Sequence, residues 1–374
     1  MASADPKSNL YQYFHDTIEA YYKTTAKPAL RKSVNFEEIL YRINLLAPYY
    51  SDPMRAHGSN ALLAPIPLPE VLRFDRMPAA GDGNVLRTMS HALTDVLVDH
   101  FVDTCAGLAT NKTIEIAYLR EFLAALRENF DIGIVTLNYD NLFTQVYPEL
   151  YTGFDPATGR FEPLSVLRRN EWNFIYHLHG SIHFAMTGTK HDMHSITWAV
   201  TPTSGHCVHS SGRGAENSME GVAYPTSIIV AGYGKTQQIL RQPFRTYYAQ
   251  LNRLVHEADC LLFLGYGFGD LHLNAVFSEA RDQRRPAVVV DWADDDQDPL
   301  PFRVDPWSYH LFNTLPGNAN CMSGPGHCAP AFIGELKAAN EVEISNDSAY
   351  PLAIWYNGFL AACQHSNKII QHLK

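Results

Sequence analysis

Three short clusters in the chain combine residue types that can do chemistry. Thr136-Leu137-Asn138-Tyr139-Asp140 presents a hydroxyl, a carboxamide and a carboxylate, donors and acceptors suited to a ribose or an amide. His177-Leu178-His179-Gly180-Ser181 places two imidazoles two residues apart. In a strand both point to one face, and a histidine at a strand end beside glycine can take a proton as a general base. Gly265-Tyr266-Gly267-Phe268-Gly269-Asp270, followed by Leu271-His272-Leu273-Asn274, sets glycines before a helix, where a phosphate or ribose can approach backbone amides. The run is not the G-x-G-x-x-G fingerprint, because position 270 is Asp. Asp291 closes the next apolar run, about twenty residues on, where a ribose-binding carboxylate often stands. Each cluster also has an ordinary reading: an Asx turn with Asn138 or Asp140 capping a helix, a structural histidine, and a tight glycine turn.

The elements that must position these residues are short and apolar. Runs at 133–137, 174–178, 227–230, 260–264 and 287–290 each end in Gly, Asn, Asp or His. Such runs, separated by crossover segments, predict a mainly parallel sheet covered by helices, with ligands outside the carboxyl ends of its strands. Before residue 130 the texture is helical and no strand is expected. Apolar residues recur at helical spacing over 10–22, and Asn35 with Glu38 forms a capping-box start to a helix through Ile39, Ile43 and Leu46. A Pro/Gly-rich stretch (Pro65, Pro67, Pro69, Pro78, Gly81, Gly83) precedes two more amphipathic segments, 85–104 and 113–129. The polar, His/Ser/Gly-rich segment 186–221 reads as an excursion above the sheet. After an acidic loop (Asp294, Asp295, Asp296, Asp298) and an irregular stretch to 330, a final helix is expected over 351–373. The expected fold is therefore α/β: a Rossmann-like, mainly parallel sheet covered by helices, with helical N-terminal and C-terminal additions. The parts run 1–125, 126–300 and 301–374.

Composition narrows the function classes. In 374 residues, 46% hydrophobic content against 18% charged excludes a disordered tail. With 29 basic and 39 acidic side chains the net charge is −10, which argues against broad binding to nucleic acid or anionic membrane. No apolar run approaches the roughly 18 residues that span a bilayer, and MASADPKSNL lacks the plan of a secretory signal, so a cytoplasmic protein is expected. The cysteines (Cys105, Cys207, Cys260, Cys321, Cys328, Cys363) form no C-x-x-C pair and read as reduced thiols. Gly234-Lys235-Thr236 is not a phosphate-binding loop, since Ile229 stands where that motif needs Gly. Neither His191, His194, His206, Cys207 and His209 nor Cys321, His327 and Cys328 match the spacing of a metal site, so no metal is expected.

Taken in order, the three clusters resemble the sirtuin-like (SIR2) domain of bacterial defence proteins, which carries a T-x-N-Y-D box, an L-H-G-S box and a G-[YF]-[GS]-F-x-D box followed by H-x-N. Asn35-Phe36-Glu37-Glu38-Ile39-Leu40, Lys235-Thr236 and Pro243-Phe244 extend the similarity to about 33–291. The resemblance implies a domain that takes NAD as its substrate. Asn138 and His179 stand in the catalytic positions. Thr136, Asp140, Ser181, Gly265, Tyr266, Gly267, Asp270, Asn274 and Asp291 stand in binding positions. In that chemistry Asn138 orients the nicotinamide ribose hydroxyls or the attacking water, neutral His179 accepts a proton, and Asp140 stabilises nearby positive charge.

Departures from the pattern set the subclass. Deacylating sirtuins carry two zinc-binding cysteine pairs between the second and third boxes, whereas that interval here holds Cys207 and Cys260. The resemblance then implies an NAD⁺ glycohydrolase that releases nicotinamide and ADP-ribose and depletes NAD in an anti-phage, abortive-infection response. Its expected partners are further copies of the chain and a helicase-like ATPase or Argonaute-type protein. The family also opens with a strand and a G-A-G-x-S loop, and nothing similar precedes Asn35. A start downstream of that loop, a neighbouring chain completing the site, or lost activity would account for this. The alternative reading is a catalytically silent NAD- or ADP-ribose-binding sensor or scaffold, and ADP-ribosyl transfer is a third.

Overall fold

The computed structural model describes residues 10–25, 34–46, 83–189, 192–202, 216–219, 222–225, 227–232, 235–293, 310–311, 313–315, 330–345 and 348–374. Contacts divide the chain into two units, each discontinuous in sequence. Met1–Leu108 joins Gly133–Tyr248 in the first unit, and Ala109–Ile132 joins Ala249–Lys374 in the second. This partition follows contacts, whereas the one at 125/126 and 300/301 follows the order of textures along the chain. His191, His206, Cys207, His209, Cys321, His327, Cys328 and the acidic loop Asp294, Asp295, Asp296 and Asp298 lie outside the described residues. So do Pro65, Pro67, Pro69, Pro78 and Gly81.

In the first unit, helices α1 (Leu10–Thr25), α2 (Phe36–Leu46) and α3 (Gly83–Asn111) precede α4 (Thr113–Arg127) of the second unit. Phe14 and Ile18 on α1, Ile39 and Ile43 on α2, and Leu86 on α3 form one buried cluster, each pair spaced one helical turn apart. The Asn35 side chain accepts from the Glu38 N–H at 3.0 Å, the cap expected at the start of α2. Glu38 does not complete a capping box. Its carboxylate pairs with Arg42 at 2.9 Å, one turn on.

Strand β1 (Gly133–Thr136) pairs in parallel with β2 (Phe174–His177), placing Gly133 opposite Phe174 and Thr136 opposite His177. Between them run α5 (Leu142–Val146) and α6 (Pro163–Arg168). Phe174 and Tyr176, on one face of β2, stack at 4.4 Å, and Tyr176 stacks on Tyr247 at 4.8 Å and 19°. Tyr247 lies in α8 (Phe244–Glu257), and its hydroxyl donates to the Thr152 carbonyl at 2.6 Å. Aromatic pairs of this kind contribute about 0.5–1.5 kcal/mol beyond area burial, so the first turn of α8 is fixed in register on β2.

The excursion at 186–221 has strands of its own. β3 (Phe184–Thr189) and β4 (Asp192–Trp198) form one antiparallel hairpin, and β5 (Glu216–Met219) and β6 (Val222–Pro225) form another. The run at 227–230, expected as a strand, is not one. Ser227 Oγ donates to the Ile229 carbonyl and accepts from the Ile229 N–H, at 2.6 and 3.1 Å, so the side chain competes with ladder formation. What remains is an isolated antiparallel bridge from Ile229 to Gly180. Helix α7 (Lys235–Gln238) follows, and Lys235 pairs with Glu37 of α2 at 3.0 Å.

In the second unit, β7 (Leu261–Leu264), α9 (Leu271–Glu279), β8 (Ala287–Val290), α10 (Pro330–Ala339), β9 (Glu343–Ile344) and β10 (Leu352–Trp355) lead to α11 (Gly358–Gln364) and α12 (Ser366–Ile370). The sheet order is β7-β8-β10-β9, with β7, β8 and β10 parallel and β9 antiparallel. The single final helix expected over 351–373 is corrected here. Leu352, Ala353, Ile354 and Trp355 are all buried in a central strand, and the helical part begins at Gly358. A four-residue apolar run looks alike in a buried strand and a buried helix. Leu119, Phe122, Leu123 and Leu126 give α4 its buried stripe, with Phe122 edge-on to Phe359 of α11 at 6.0 Å. The architecture is α/β with small parallel sheets. Among the described residues no helix is long and apolar enough to cross a membrane.

Candidate active site

Because β1 and β2 run parallel and in register, the loops that leave Thr136 and His177 emerge side by side. The Leu178 N–H donates to the Thr136 carbonyl and the Ile182 N–H to the Tyr139 carbonyl, both at 2.9 Å. Thr136 Oγ1 accepts from the Asn138 N–H at 3.0 Å, and Asn138 itself is exposed. Asp140 Oδ1 accepts from the Leu142 N–H at 3.0 Å and so closes an Asx turn at the start of α5. The ordinary capping role therefore falls to Asp140. Burial pushes the Asp140 carboxyl above its usual pKa, against the opposing pull of the Leu142 N–H. Tyr139 is buried, donates its hydroxyl to the Val230 carbonyl at 3.2 Å, and meets Phe101 edge-on at 5.5 Å.

His179 is held from both sides of its backbone. Its carbonyl accepts from the Val230 N–H at 2.7 Å. Gly180 follows with φ +109°, and a Cβ there would lie 2.2 Å from the Ile228 carbonyl oxygen. Glycine is thus required by the approach of the chain's own backbone. Ser181 is fully buried, and its Oγ accepts from the His183 N–H at 3.2 Å. His179 Nε2 stands 3.4 Å from the Tyr248 hydroxyl on α8.

The neighbouring imidazoles are structural. His183 Nδ1 is 2.8 Å from the Ala199 carbonyl, which can only accept, so Nδ1 carries the proton. Nε2 then accepts from Asn141 Nδ2 at 3.2 Å, and Asn141 Oδ1 accepts from Gln145 at 2.6 Å. The His183 ring stacks on Trp198 at 4.5 Å and 6°. Burial lowers its pKa, with the Ala199 carbonyl opposing. His177 is 0% exposed, its ring 6.0 Å from both Phe184 and Trp198, with neither nitrogen in hydrogen-bonding geometry. Burial first, and then His183, push its pKa down to about 3, with the Asn138 backbone opposing. His177 and His183 are therefore neutral at neutral pH.

The second unit carries the remaining sequence-derived positions: Gly265, Tyr266, Gly267, Asp270, Asn274 and Asp291. Gly265 has φ +62°, and a Cβ at Gly265, Gly267 or Gly269 would meet nothing within 4 Å. The loop is anchored by the Gly265 N–H on the Val290 carbonyl at 2.8 Å. Asp270 Oδ1 accepts from the His272 and Leu273 N–H groups at 3.1 and 3.4 Å, capping α9. Asn274 Oδ1 accepts from the Tyr266 hydroxyl at 2.8 Å, while its Nδ2 donates to the Phe268 carbonyl at 2.7 Å, holding Phe268 at φ +51°. Asp291 accepts from the following Trp292 N–H at 2.8 Å. Tyr266, Asp270 and Asn274 thus hold the loop in shape from within, and its glycines leave backbone open to approach.

Thr136, Asn138, Asp140, His179 and Ser181 are gathered at the β1 and β2 ends within the first unit; the other six positions lie in the second. Sequence reasoning missed Tyr248 and the Gln145-Asn141-His183 chain. Lys235 and Glu37, by contrast, fall in segments already singled out, and their ion pair joins them.

Residues 133–303 match the family model of the SIR2-like domain, and that stretch is accordingly a SIR2-like domain. No curated protein matches the chain. A SIR2-like domain points to NAD-related chemistry.

Proposed function

We propose that this chain is an NAD⁺ glycohydrolase. Water attacks C1′ of the nicotinamide ribose, the glycosidic C–N bond breaks, nicotinamide leaves as a neutral base with the bonding electron pair, and a proton of the water passes to His179. Asn138 orients the ribose hydroxyls or the water, and the half-buried Asp140 carboxylate stabilises the oxocarbenium-like positive charge. Within the second unit, the glycines of the 265–269 loop leave backbone open to a ligand. The observation that carries this reading is the parallel register of β1 and β2. It sets the exposed Asn138 loop beside the His179 turn, while His177 and His183 are sealed in structural roles. To this reading we add the setting that the sequence resemblance implies: an oligomer acting in anti-phage defence with a helicase-like ATPase or Argonaute-type partner.

Incubation with NAD⁺ and quantification of nicotinamide and ADP-ribose tests it. Equimolar release of the two products supports the proposal. Stabilisation by ADP-ribose without turnover would replace it with a silent binding module, and label from NAD⁺ fixed on a macromolecule would replace it with transfer.

A further inference from the structure

We infer that Tyr248 is a positioning residue for His179: its hydroxyl oxygen accepts a hydrogen bond from His179 Nε2–H, so that Nδ1 holds the lone pair that takes the proton. The inference rests on the hydrolase reading for its kinetic consequence, although the tautomer it specifies is a property of the unliganded protein.

Placement comes first. Tyr248 is half-buried at the start of the second turn of α8, next to Tyr247, which is fully buried. Tyr247 is bound to β2 by its stack on Tyr176, to Phe161 edge-on at 5.4 Å, and to the Thr152 carbonyl through its hydroxyl. The position of its neighbour is therefore set by β2, the strand that carries His179 at its end. On the other side, the Val230 N–H and the crowded Gly180 fix the His179 backbone. Two independently anchored elements thus hold the hydroxyl and Nε2 at 3.4 Å, the outer edge of a hydrogen bond. Pairs of this kind are often long before substrate binds and tighten afterwards.

The chemistry then selects the direction. A neutral imidazole has one N–H and one lone pair, and whichever group the first nitrogen meets decides which nitrogen can act as a base. If the tyrosine donated to Nε2, that lone pair would be occupied and Nδ1 would carry the proton, leaving the ring with no site for a second one. With Tyr248 as acceptor, Nδ1 is the basic nitrogen. When it takes the proton from water, the cationic ring keeps its bond to a neutral phenol oxygen.

The test uses the full chain and Tyr248→Phe, which keeps the ring and removes the oxygen. Long-range proton–nitrogen NMR of the imidazoles reports the His179 tautomer, with the His179→Ala spectrum assigning the signal. The expected result is Nε2–H with unprotonated Nδ1 in the native chain and a mixture of tautomers in Tyr248→Phe. Nicotinamide release should fall about 10- to 100-fold through kcat with KM unchanged, less than the roughly 10²–10⁴-fold loss from removing a base itself. Nδ1–H in the native chain, or one tautomer common to both proteins, overturns the inference whatever the activity. If the native chain releases no nicotinamide, the hydrolase reading fails by itself, and the NMR comparison still decides the role of Tyr248.

Discussion

Gly180 and the glycines of the 265–269 loop occupy similar places in the sequence, each just beyond a strand, yet their surroundings are opposite. At Gly180 the space a side chain would need is filled by the Ile228 carbonyl, whereas around Gly265, Gly267 and Gly269 nothing lies within 4 Å. The first region uses glycine to press a turn against its own backbone, and so delivers a side chain, His179, at a fixed place. The second uses glycine to leave backbone uncovered, while Tyr266, Asp270 and Asn274 keep the loop in shape. One glycine is a packing device and the others form a surface. In the proposed reaction the first region supplies proton transfer.

Substitutions can break this contrast. Gly180→Ala should be the most damaging to the fold, because a positive φ is compounded by a backbone clash. A loss of about 3 kcal/mol or more is expected in urea unfolding. A loss below about 0.5 kcal/mol, the range of ordinary surface changes, would show the turn to be as tolerant as the open loop. Asn274→Ala comes next, since it strips the partners of the Tyr266 hydroxyl and the Phe268 carbonyl. It should cost about 1–3 kcal/mol and speed hydrogen exchange in the 265–270 loop. Unchanged exchange would mean that the loop is not held from within.

His177 gives the first region an acid sensitivity. Unfolded, its ring binds a proton near the ordinary 6.5, but folded only near pH 3, so between those values the unfolded state holds more protons and stability falls as pH drops. His183, lowered in the same direction, adds to the slope. His177→Phe should flatten the dependence of the urea midpoint on pH in that window by up to about 1.4 kcal/mol per pH unit; an unchanged slope would place the acid sensitivity elsewhere. Gly267→Ala should be the mildest for stability, within about 0.5 kcal/mol, while weakening ADP-ribose binding measured by calorimetry. Full retention of binding would remove that backbone from the ligand surface.

Much of this contrast could be read from the sequence, but unevenly. The apolar run at 287–290 became β8 with the same bounds, because four consecutive buried residues between breakers leave little choice. Asn35 marked the start of α2, because a cap is a local hydrogen bond. The run at 352–355 was misread as helix, since a strand that pairs with β8 owes its identity to residues far away in sequence. Ser227 defeated the expectation of a strand through a bond of its own side chain. In the candidate site, Asn138 and His179 were legible as strand-end residues. Tyr248, on a helix 69 positions from His179, carried no signal at all, because the way α8 is stacked on β2 is a matter of tertiary packing. Gly180 was legible as the glycine beside a strand-end histidine; that the Ile228 backbone presses against it could be learned only from the fold.

In the proposed reaction the loops at the ends of β1 and β2 break the nicotinamide–ribose bond. The most direct measurement is nicotinamide release from NAD⁺ by the native chain and by Asn138→Ala, whose exposed side chain can be removed with little effect on the fold. Equimolar nicotinamide and ADP-ribose from the native chain, with at least about a hundredfold slower release from Asn138→Ala at an unchanged melting temperature, is the predicted result. Equal release by the two proteins, or none by the native chain, would contradict it.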